Sequence, residues 1–277
     1  MRILVTGGYG FIGSNFISNF INHPDVEIII NVDNLSEFSN SRNTPKHSKL
    51  RNFTFNVGCE NILNLLSSYQ ITHVLHLADD TTNSYNAIRS NVCNTLNLLH
   101  NCVEHKALKR FHCISSLSYN ELYSASKLSC NNIIQAFFNE YKLPITINVC
   151  GEIYGPKQHT RKLIPSLINK LKTNSEVVAK PYTHNWVYVK DVCKTIFDTI
   201  KNEDCLSGTR EIKSSYELTE YDIACKLKVL LDSSSSIACE AEPPKYHPFS
   251  NCHSQILTET DIDHALLETI NYYSLVS

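Results

Sequence analysis

Two residues four positions apart, Tyr123 and Lys127, have the types and spacing that proton transfer requires. They begin the segment YSASKLSCNNIIQAFFNEY, which we predict to be a helix, so both side chains share one helix face. An ammonium group close to a phenol lowers the pKa of that phenol, so Tyr123 would exchange a proton with a hydroxyl or carbonyl group. Ser115 and Ser116 end the preceding predicted strand, where the Ser116 hydroxyl would polarise the same oxygen. The pattern indicates acid–base catalysis.

A second pattern is the stretch TGGYGFIG, which holds four of the eight glycines of the chain. Gly7, Gly10 and Gly13 have the spacing of a strand–turn–helix loop whose backbone approaches a pyrophosphate. The exposed N–H groups and the positive end of the helix starting near Phe11 would hold the phosphates. Asp33 follows 20 residues after Gly13, where a carboxylate accepts hydrogen bonds from an adenosine ribose and repels a 2′-phosphate. The loop therefore predicts a dinucleotide site for NAD, with NADP less favoured.

The elements that carry these residues alternate between apolar strands and helices through the first half of the chain. The predicted strands are RILV, EIIINVD, NFTFNV, HVLHLA, RFHCIS and PITINVC, and the helices include FISNFINH and VCNTLNLLHNCV. Continuous apolar strands that alternate with helices are typical of a parallel sheet covered on both faces. The prediction is an α/β fold with a doubly wound parallel sheet.

The alternation loosens in the second half. The segments KLIPSLINKLK, DVCKTIFDTIK, YDIACKLKVLLD and DHALLETINYY are predicted helices, and SSSSIACEAEPPKYHP is predicted to be a loop. We predict a dinucleotide-binding domain over residues 1–150 and a smaller α/β lobe over residues 151–277, interleaved with the first.

Composition narrows the classes of function. The 277 residues carry a net charge of −2, which gives no electrostatic case for binding nucleic acid or an anionic membrane. No apolar run reaches the length of roughly 20 residues that a membrane span needs. The eleven cysteines are scattered without a C-x-x-C pattern, and no signal-peptide pattern is seen, so a reducing, cytoplasmic location is expected. The twelve histidines show no metal-ligand spacing, so no metal site is predicted.

Together these motifs resemble the extended short-chain dehydrogenases/reductases, and within them the nucleotide-sugar epimerases and 4,6-dehydratases. The matching stretches run nearly end to end: ILVTGGYGFIGSN, NVDNLS, HVLHLA, NVCNTLNLL, YSASK, YKLPI, IYGPKQ, KLIPSLI, WVYVKDVCKTI and ALLETINYY. The segment GPKQHTRKLIP is most similar to the 4,6-dehydratases. The resemblance implies a Rossmann-type domain that binds NAD(P), a C-terminal lobe that binds a nucleotide-sugar, and a homodimer formed through residues Val92–Val103 and Ser124–Tyr141.

The resemblance also implies the residues of each site. Catalysis is expected from Ser116, Tyr123 and Lys127, and substrate binding from Lys162 and Leu163. The residues expected to contact the cofactor are Gly7, Gly10, Phe11, Ile12, Gly13, Asp33, Asn34, Leu77, Ala78, Ser115, Tyr123 and Lys127.

The chain departs from the 4,6-dehydratase pattern where the sugar would react. A Thr-Asp-Glu sequence in those enzymes, which supplies the acid and base for loss of water, corresponds here to Ser116, Leu117 and Ser118. Neither substitute carries a carboxylate, and Glu121 is the nearby candidate for a displaced base. In those enzymes an Arg-Asp-Trp sequence helps to hold the nucleotide. The corresponding residues here, 184–186, are His-Asn-Trp. A histidine is less suited than an arginine to a phosphate.

Three hypotheses follow. The first is an oxidoreductase acting at C4 of a nucleotide-linked sugar, either a 4-keto reductase or a 4-epimerase, which needs only the serine, the tyrosine, the lysine and the cofactor. The second is a 4,6-dehydratase with a relocated acid and base. The third is an NAD(P)-binding protein without catalysis, which the altered substrate positions favour.

Overall fold

A computed structural model describes residues 1–82, 84–116, 122–202, 208–240 and 254–276. Thirteen strands occur in these ranges, and they are β1 Arg2–Thr6, β2 Ile28–Asp33, β3 Leu50–Thr54, β4 His73–His76, β5 Arg110–Ser116, β6 Ile145–Cys150, β7 Glu152–Tyr154, β8 Val177–Ala179, β9 Thr183–Tyr188, β10 Gly208–Ser214, β11 Glu217–Thr219, β12 Ile237–Cys239 and β13 Ser254–Thr258. Eight α-helices occur there too, and they are α1 Phe11–Phe20, α2 Asn61–Ser68, α3 Tyr85–Glu104, α4 Leu122–Tyr141, α5 Leu163–Lys172, α6 Val189–Lys201, α7 Glu220–Leu230 and α8 Ile262–Val276.

The main sheet has eight strands in the order β13-β10-β6-β5-β4-β1-β2-β3, and every neighbouring pair is parallel. Its inner strands β1, β2 and β6 are buried and mostly apolar, whereas the edge strands β3 and β13 are largely exposed. Ile3, Leu4 and Val5 of β1, for example, have no exposed surface. A strand buried on both faces needs a layer of helices on each side. The doubly wound parallel sheet predicted from the sequence is confirmed.

The two faces of the sheet are covered by different helices. One apolar cluster joins the sheet to α1, α5, α6, α7 and α8, with Phe16 and Ile196 among its fully buried residues. The other joins the sheet to α2, α3 and α4, with Leu66 and Leu98 fully buried. Both helix layers leave the carboxyl edge of the sheet uncovered, which is where parallel α/β sheets place their ligands.

Two smaller sheets lie in the second half of the chain. Strands β7, β9 and β11 form one of them, and β8 pairs with β12 in the other. Strand β12 falls within the segment predicted to be a loop, so that expectation was wrong for residues 237–239. Strands β10 and β13 of the second half join the main sheet, so elements after residue 150 contribute to both parts. The division at residue 150 stays a prediction.

The loop after β7 is tied to the first helix. Lys157 donates hydrogen bonds from Nζ to Ser18 Oγ at 2.7 Å and to the Asn43 carbonyl oxygen at 2.8 Å. Asn15 of α1 donates from Nδ2 to the Pro156 carbonyl oxygen at 2.9 Å. The segment GPKQ is therefore held against α1, although the two are about 140 positions apart in the sequence.

No helix in the described ranges has the length and apolar character to cross a membrane.

Candidate active site

The carboxyl ends of β1, β2, β4, β5 and β6 open into one cleft of about 620 Å³. This volume falls in the range of roughly 300–1,000 Å³ that is typical of small-molecule sites. Every residue expected to contact the cofactor lines the cleft, namely Gly7, Gly10, Phe11, Ile12, Gly13, Asp33, Asn34, Leu77, Ala78, Ser115, Tyr123 and Lys127. The fold thus brings together residues from five separate parts of the chain, and their individual roles stay predictions.

The glycine loop connects β1 to the N-terminus of α1. Gly7 has φ +73°, a left-handed conformation that side chains rarely adopt, and its N–H donates to the Val32 carbonyl oxygen at 2.8 Å. Gly10 precedes the helix in an extended conformation, and no side chain caps the helix there. A Cβ atom on Gly10 would meet only the Gly7 carbonyl oxygen, at 3.2 Å. The uncapped helix start and a glycine without a side chain at this position fit the phosphates of a dinucleotide.

Asp33 ends β2 beside this loop, and only 2% of its surface is exposed. Its Oδ2 accepts a hydrogen bond from the Tyr9 N–H at 3.0 Å. Its Oδ1 accepts from the Leu35 N–H at 2.9 Å and from Ser39 Oγ at 2.8 Å. Three donors therefore fix the carboxylate at the wall of the cleft, as a ribose-binding acid requires.

Tyr123 and Lys127 lie on the first turns of α4 and reach the cleft together with Asp79, which follows β4. The Tyr123 hydroxyl donates to Asp79 Oδ2 at 2.6 Å, and Lys127 Nζ lies 3.1 Å from the same oxygen. Burial and the Asp79 charge raise the pKa of Tyr123 well above its usual value, against the opposite effect of Lys127. The sequence-based expectation of a lowered pKa for Tyr123 was therefore wrong, because burial and the Asp79 charge together outweigh the ammonium.

Sequence reasoning missed Asp79 because a carboxylate in a loop after a strand has an ordinary explanation as a turn residue. That explanation is correct for its neighbour Asp80, whose Oδ1 accepts from the N–H and the hydroxyl of Thr82 at 2.9 Å and 2.7 Å. The signal that could have drawn attention to Asp79 is its position directly after the predicted strand HVLHLA. The carboxyl ends of parallel strands form the edge of the sheet at which ligands bind.

Ser115 and Ser116 end β5 and also line the cleft. Ser115 is 3% exposed, and its Oγ accepts a hydrogen bond from Asn131 Nδ2 of α4 at 2.7 Å. This bond connects the strand end to the helix that carries Tyr123. Leu117, Ser118 and Glu121, the positions compared with the dehydratase acid and base, lie outside the described residues.

The second half of the chain supplies another wall. Lys162 lines the cleft as the residue that precedes α5, but Leu163 does not and instead packs, partly buried, against the core. His184 also lines it, with Nε2 3.4 Å from Glu220 Oε1. The other two residues of the 184–186 sequence act in the fold: Asn185 links β9 to the end of β10, and the Trp186 indole N–H donates to the Leu218 carbonyl oxygen at 2.8 Å. Among the described residues, no group of three or more His, Cys, Asp and Glu side chains has a geometry that could hold a metal ion.

A comparison with family models matches residues 3–209 to the NAD-dependent epimerase/dehydratase family. Among curated proteins, a dTDP-D-glucose 4,6-dehydratase of Dictyostelium discoideum is 29% identical over 267 residues, which cover 82% of this chain and 61% of that protein. A dTDP-glucose 4,6-dehydratase of Haemophilus influenzae is 32% identical over 240 residues, covering 69% of this chain and 68% of the relative. The chain thus spans about three fifths of the length of the first relative and two thirds of the second.

Solved structures share the fold over the whole chain. A dTDP-glucose 4,6-dehydratase of Bacillus anthracis, in complex with NAD, superimposes with a TM-score of 0.87 at 21% identity, covering 99% of this chain and 97% of the other. A UDP-glucose 4-epimerase of Thermotoga maritima, with UDP-glucose, gives a TM-score of 0.84 at 21% identity over 100% and 99% of the two chains. At these identities the likeness shows the fold.

Proposed function

Because the chain belongs to the NAD-dependent epimerase/dehydratase family, we propose that it is an oxidoreductase acting at C4 of a nucleotide-linked sugar, as a 4-keto reductase or a 4-epimerase. The observation that carries this proposal is the meeting of Tyr123 and Lys127 with the glycine loop in one cleft. A proton-transfer pair and a dinucleotide loop in the same cleft are what oxidation or reduction of an alcohol carbon requires.

The catalytic work of the protein in this proposal is proton transfer and orientation. Bound NAD supplies the hydride acceptor or, in its reduced form, the hydride donor. Tyr123 takes the proton of the C4 hydroxyl when the sugar is oxidised and returns it to the C4 oxygen when the ketone is reduced. Lys127 opposes the negative charge on the phenol oxygen, and Ser116 orients the C4 oxygen by a hydrogen bond.

NAD is the proposed cofactor because the wall at the end of β2 carries Asp33. A carboxylate held there by three hydrogen bonds repels a 2′-phosphate and accepts hydrogen bonds from ribose hydroxyls. The uncapped N-terminus of α1 supports the same proposal, because its N–H groups and helix dipole favour phosphate oxygens.

A nucleotide-sugar is the proposed substrate because relatives named for such substrates share the sequence, and because the second half of the chain brings Lys162 to the cleft. A lysine at that wall provides a positive charge for a diphosphate. Leu163 stays proposed from the resemblance alone, since its side chain packs against the core.

A homodimer is proposed through α3 and α4, which pack against each other on the face of the second apolar cluster. Their outer sides expose Leu96, Leu128 and Tyr141 with 43%, 45% and 56% of their surfaces accessible. Large apolar residues repeated along two adjacent helices are typical of a protein interface. Sedimentation of Leu128→Glu should give a monomer. The control is Val229→Glu on α7, at a residue 79% exposed, which should leave the dimer intact.

The activity is tested with purified protein, NAD or NADH, and a panel of UDP-, GDP- and dTDP-linked sugars and their 4-keto derivatives. Absorbance of reduced nicotinamide detects oxidation and reduction, and proton NMR of the sugar detects inversion at C4. Tyr123→Phe is the matched control, because it removes the proton-carrying hydroxyl and keeps the ring. No change in any sugar, with cofactor bound, would refute the proposal and favour a binding protein without catalysis.

A further inference from the structure

One oxygen atom, Oδ2 of Asp79, contacts both members of the Tyr123–Lys127 pair. It accepts the Tyr123 hydroxyl hydrogen bond at 2.6 Å and lies 3.1 Å from Lys127 Nζ. The side chains of Asp79 and Lys127 are 14% and 17% exposed, so water screens these contacts only weakly. A short bond from a neutral hydroxyl to a carboxylate is among the stronger hydrogen bonds in proteins.

The contact with Asp79 raises the pKa of both Tyr123 and Lys127. The proton of the phenol is directed to the carboxylate, and a second negative charge on the phenol oxygen at this distance would be strongly repelled. The positive charge of Lys127, which favours the phenolate, is partly offset by the same carboxylate. The pair therefore behaves differently from a tyrosine and a lysine alone.

The other titratable groups around the pair do not reverse this effect. Glu152 of β7 adds a second carboxylate that faces Tyr123 and disfavours its ionisation. Cys113 of β5 and Cys130 of α4 face Lys127. Burial raises the pKa of the Cys113 thiol to about 12, so that thiol carries no charge near neutral pH. The carboxylates of Asp79 and Glu152 thus disfavour ionisation of the Tyr123 hydroxyl, and the Lys127 ammonium favours it.

We propose that Asp79 is a positioning residue that favours the phenol form of Tyr123 and weakens the stabilisation of the phenolate by Lys127. The catalytic meaning of this proposal rests on the proposed function, but the protonation of Tyr123 can be measured without turnover. Reduction of a C4 ketone uses the phenol, whose proton passes to the C4 oxygen as hydride reaches the carbon. Oxidation uses the phenolate, which takes the hydroxyl proton as hydride leaves.

Titration by ultraviolet absorbance tests the proposal directly on the full chain freed of nucleotide. The signal of Tyr123 is the difference between a protein and its Tyr123→Phe version, which removes the contribution of the other tyrosines. In the parent protein we expect no Tyr123 phenolate up to about pH 10, the ordinary pKa of tyrosine. In Asp79→Asn, where the charge is lost and an acceptor oxygen remains, we expect the phenolate at least about one pH unit earlier.

Asp80→Asn is the matched control. It removes a carboxylate from the next position, and the bonds of Asp80 go to Thr82 and not to the pair, so the titration of Tyr123 should not move. Circular dichroism across the same pH range shows that each protein remains folded. An unchanged Tyr123 titration in folded Asp79→Asn would overturn the proposal. If that variant does not fold, a Tyr123 phenolate below pH 10 in the parent protein would overturn it equally.

Kinetics then separate this proposal from the proposed function. With an active sugar, the pH at which oxidation reaches its plateau should lie lower in Asp79→Asn than in the parent protein, and reduction should begin to fall at that same pH. An unshifted profile in an active variant would overturn the role of Asp79. A shifted titration without turnover on any sugar would refute the proposed function and support the assignment of Asp79.

Discussion

The Asn31 side chain occupies the space in which a Cβ atom of Gly8 would lie. Its Oδ1 accepts a hydrogen bond from the Gly8 N–H at 2.9 Å and would be 2.2 Å from that Cβ. Asn31 is fully buried and donates from Nδ2 to Asn52 Oδ1 at 3.0 Å, so it cannot move away without losing two hydrogen bonds. Gly8, which lies between Gly7 and Gly10 in the loop, is therefore required by the packing of β2 and not by a ligand.

Glycines of the loop should consequently fall into two classes on mutation. Gly8→Ala should lower the free energy of unfolding by about 1–3 kcal/mol, because it overpacks a filled site. Gly10→Val should cost less stability than Gly8→Ala, because its Cβ meets a single atom at 3.2 Å. It should weaken NAD binding at least about tenfold, because its side chain would extend into the cleft where the backbone meets pyrophosphate. Urea unfolding and calorimetric titration with NAD measure the two effects. Equal loss of stability in both variants would contradict the distinction.

Asp33, at the end of β2, should determine whether the protein binds NAD or NADP more tightly. NAD should bind more tightly than NADP, and Asp33→Asn should reduce the difference because the charge that repels the 2′-phosphate is gone. Titration of both cofactors against both proteins measures the ratio of dissociation constants. A tighter dissociation constant for NADP in the parent protein would show that Asp33 does not have this role.

Tyr123→Phe should abolish turnover and leave the affinity for NAD nearly unchanged. The lost atom carries the proton and is not a binding surface, so the defect belongs in kcat, with a reduction of roughly 10²–10⁴-fold. Lys127→Ala should lower both kcat and cofactor affinity, because its ammonium is expected to contact the nicotinamide ribose as well as the Asp79 carboxylate. Full activity of Tyr123→Phe would exclude this tyrosine as the proton-carrying group.

The protein should be a poor 4,6-dehydratase in spite of its similarity to those enzymes. Removal of water needs a base at C5 and an acid at C6, and neither Leu117 nor Ser118 supplies a carboxylate. Mass spectrometry of dTDP-glucose, UDP-glucose or UDP-N-acetylglucosamine after incubation with NAD detects the loss of one water. Rapid and complete loss of water, abolished in Glu121→Gln, would identify a relocated catalyst.

Two buried histidines should make the fold sensitive to mild acid. Burial lowers the pKa of His76 and His112 to about 3, helped by Lys127 near the first and by Arg110 and Arg210 near the second. The unfolded chain then binds more protons than the folded one below an ordinary histidine pKa of about 6.5, so stability falls as pH decreases from there towards 3.

The expected loss is about 2 kcal/mol for each of these histidines between about pH 7 and pH 5. Urea unfolding at both pH values measures it. His112→Asn keeps a group able to hydrogen-bond to Thr146, the partner of the His112 ring at 2.8 Å, and cannot titrate in this range. This variant should lose less stability on acidification. An identical loss in variant and parent would show that His112 makes no contribution.

Six of the eight strands of the main sheet could be predicted because their signals are local. Each of the six predicted strands of the first half has apolar residues in a run or in alternation, and each predicted helix shows the spacing of a buried face. The seven described strands of the second half, β7 to β13, were not predicted, although β10 and β13 belong to the main sheet. Strands β8 and β12 have three residues each. Their pairing joins Val177 to Ile237, so what makes them strands is a contact across about 60 positions and not a local pattern.

The candidate site shows the same limit. The positions of Tyr123, Lys127 and Asp33 could be predicted because each belongs to a motif whose geometry is set within a few residues. The raised pKa of Tyr123 could not be predicted, because it follows from burial in the folded cleft and from Asp79, which is 44 positions away in the sequence. Leu163 illustrates the converse, since it belongs to a recognisable segment and yet turns towards the core.

The attachment of Lys157 to α1 and to the segment before β3 has an entropic consequence for ligand binding. Its ammonium and the amide of Asn15 fix the chain at Pro156 before any ligand enters, so the backbone between the two walls of the cleft has little freedom left to lose. Binding to such a preorganised wall costs less conformational entropy than ordering a free loop. Cofactor and substrate would thus bind to a wall whose own contacts are already formed.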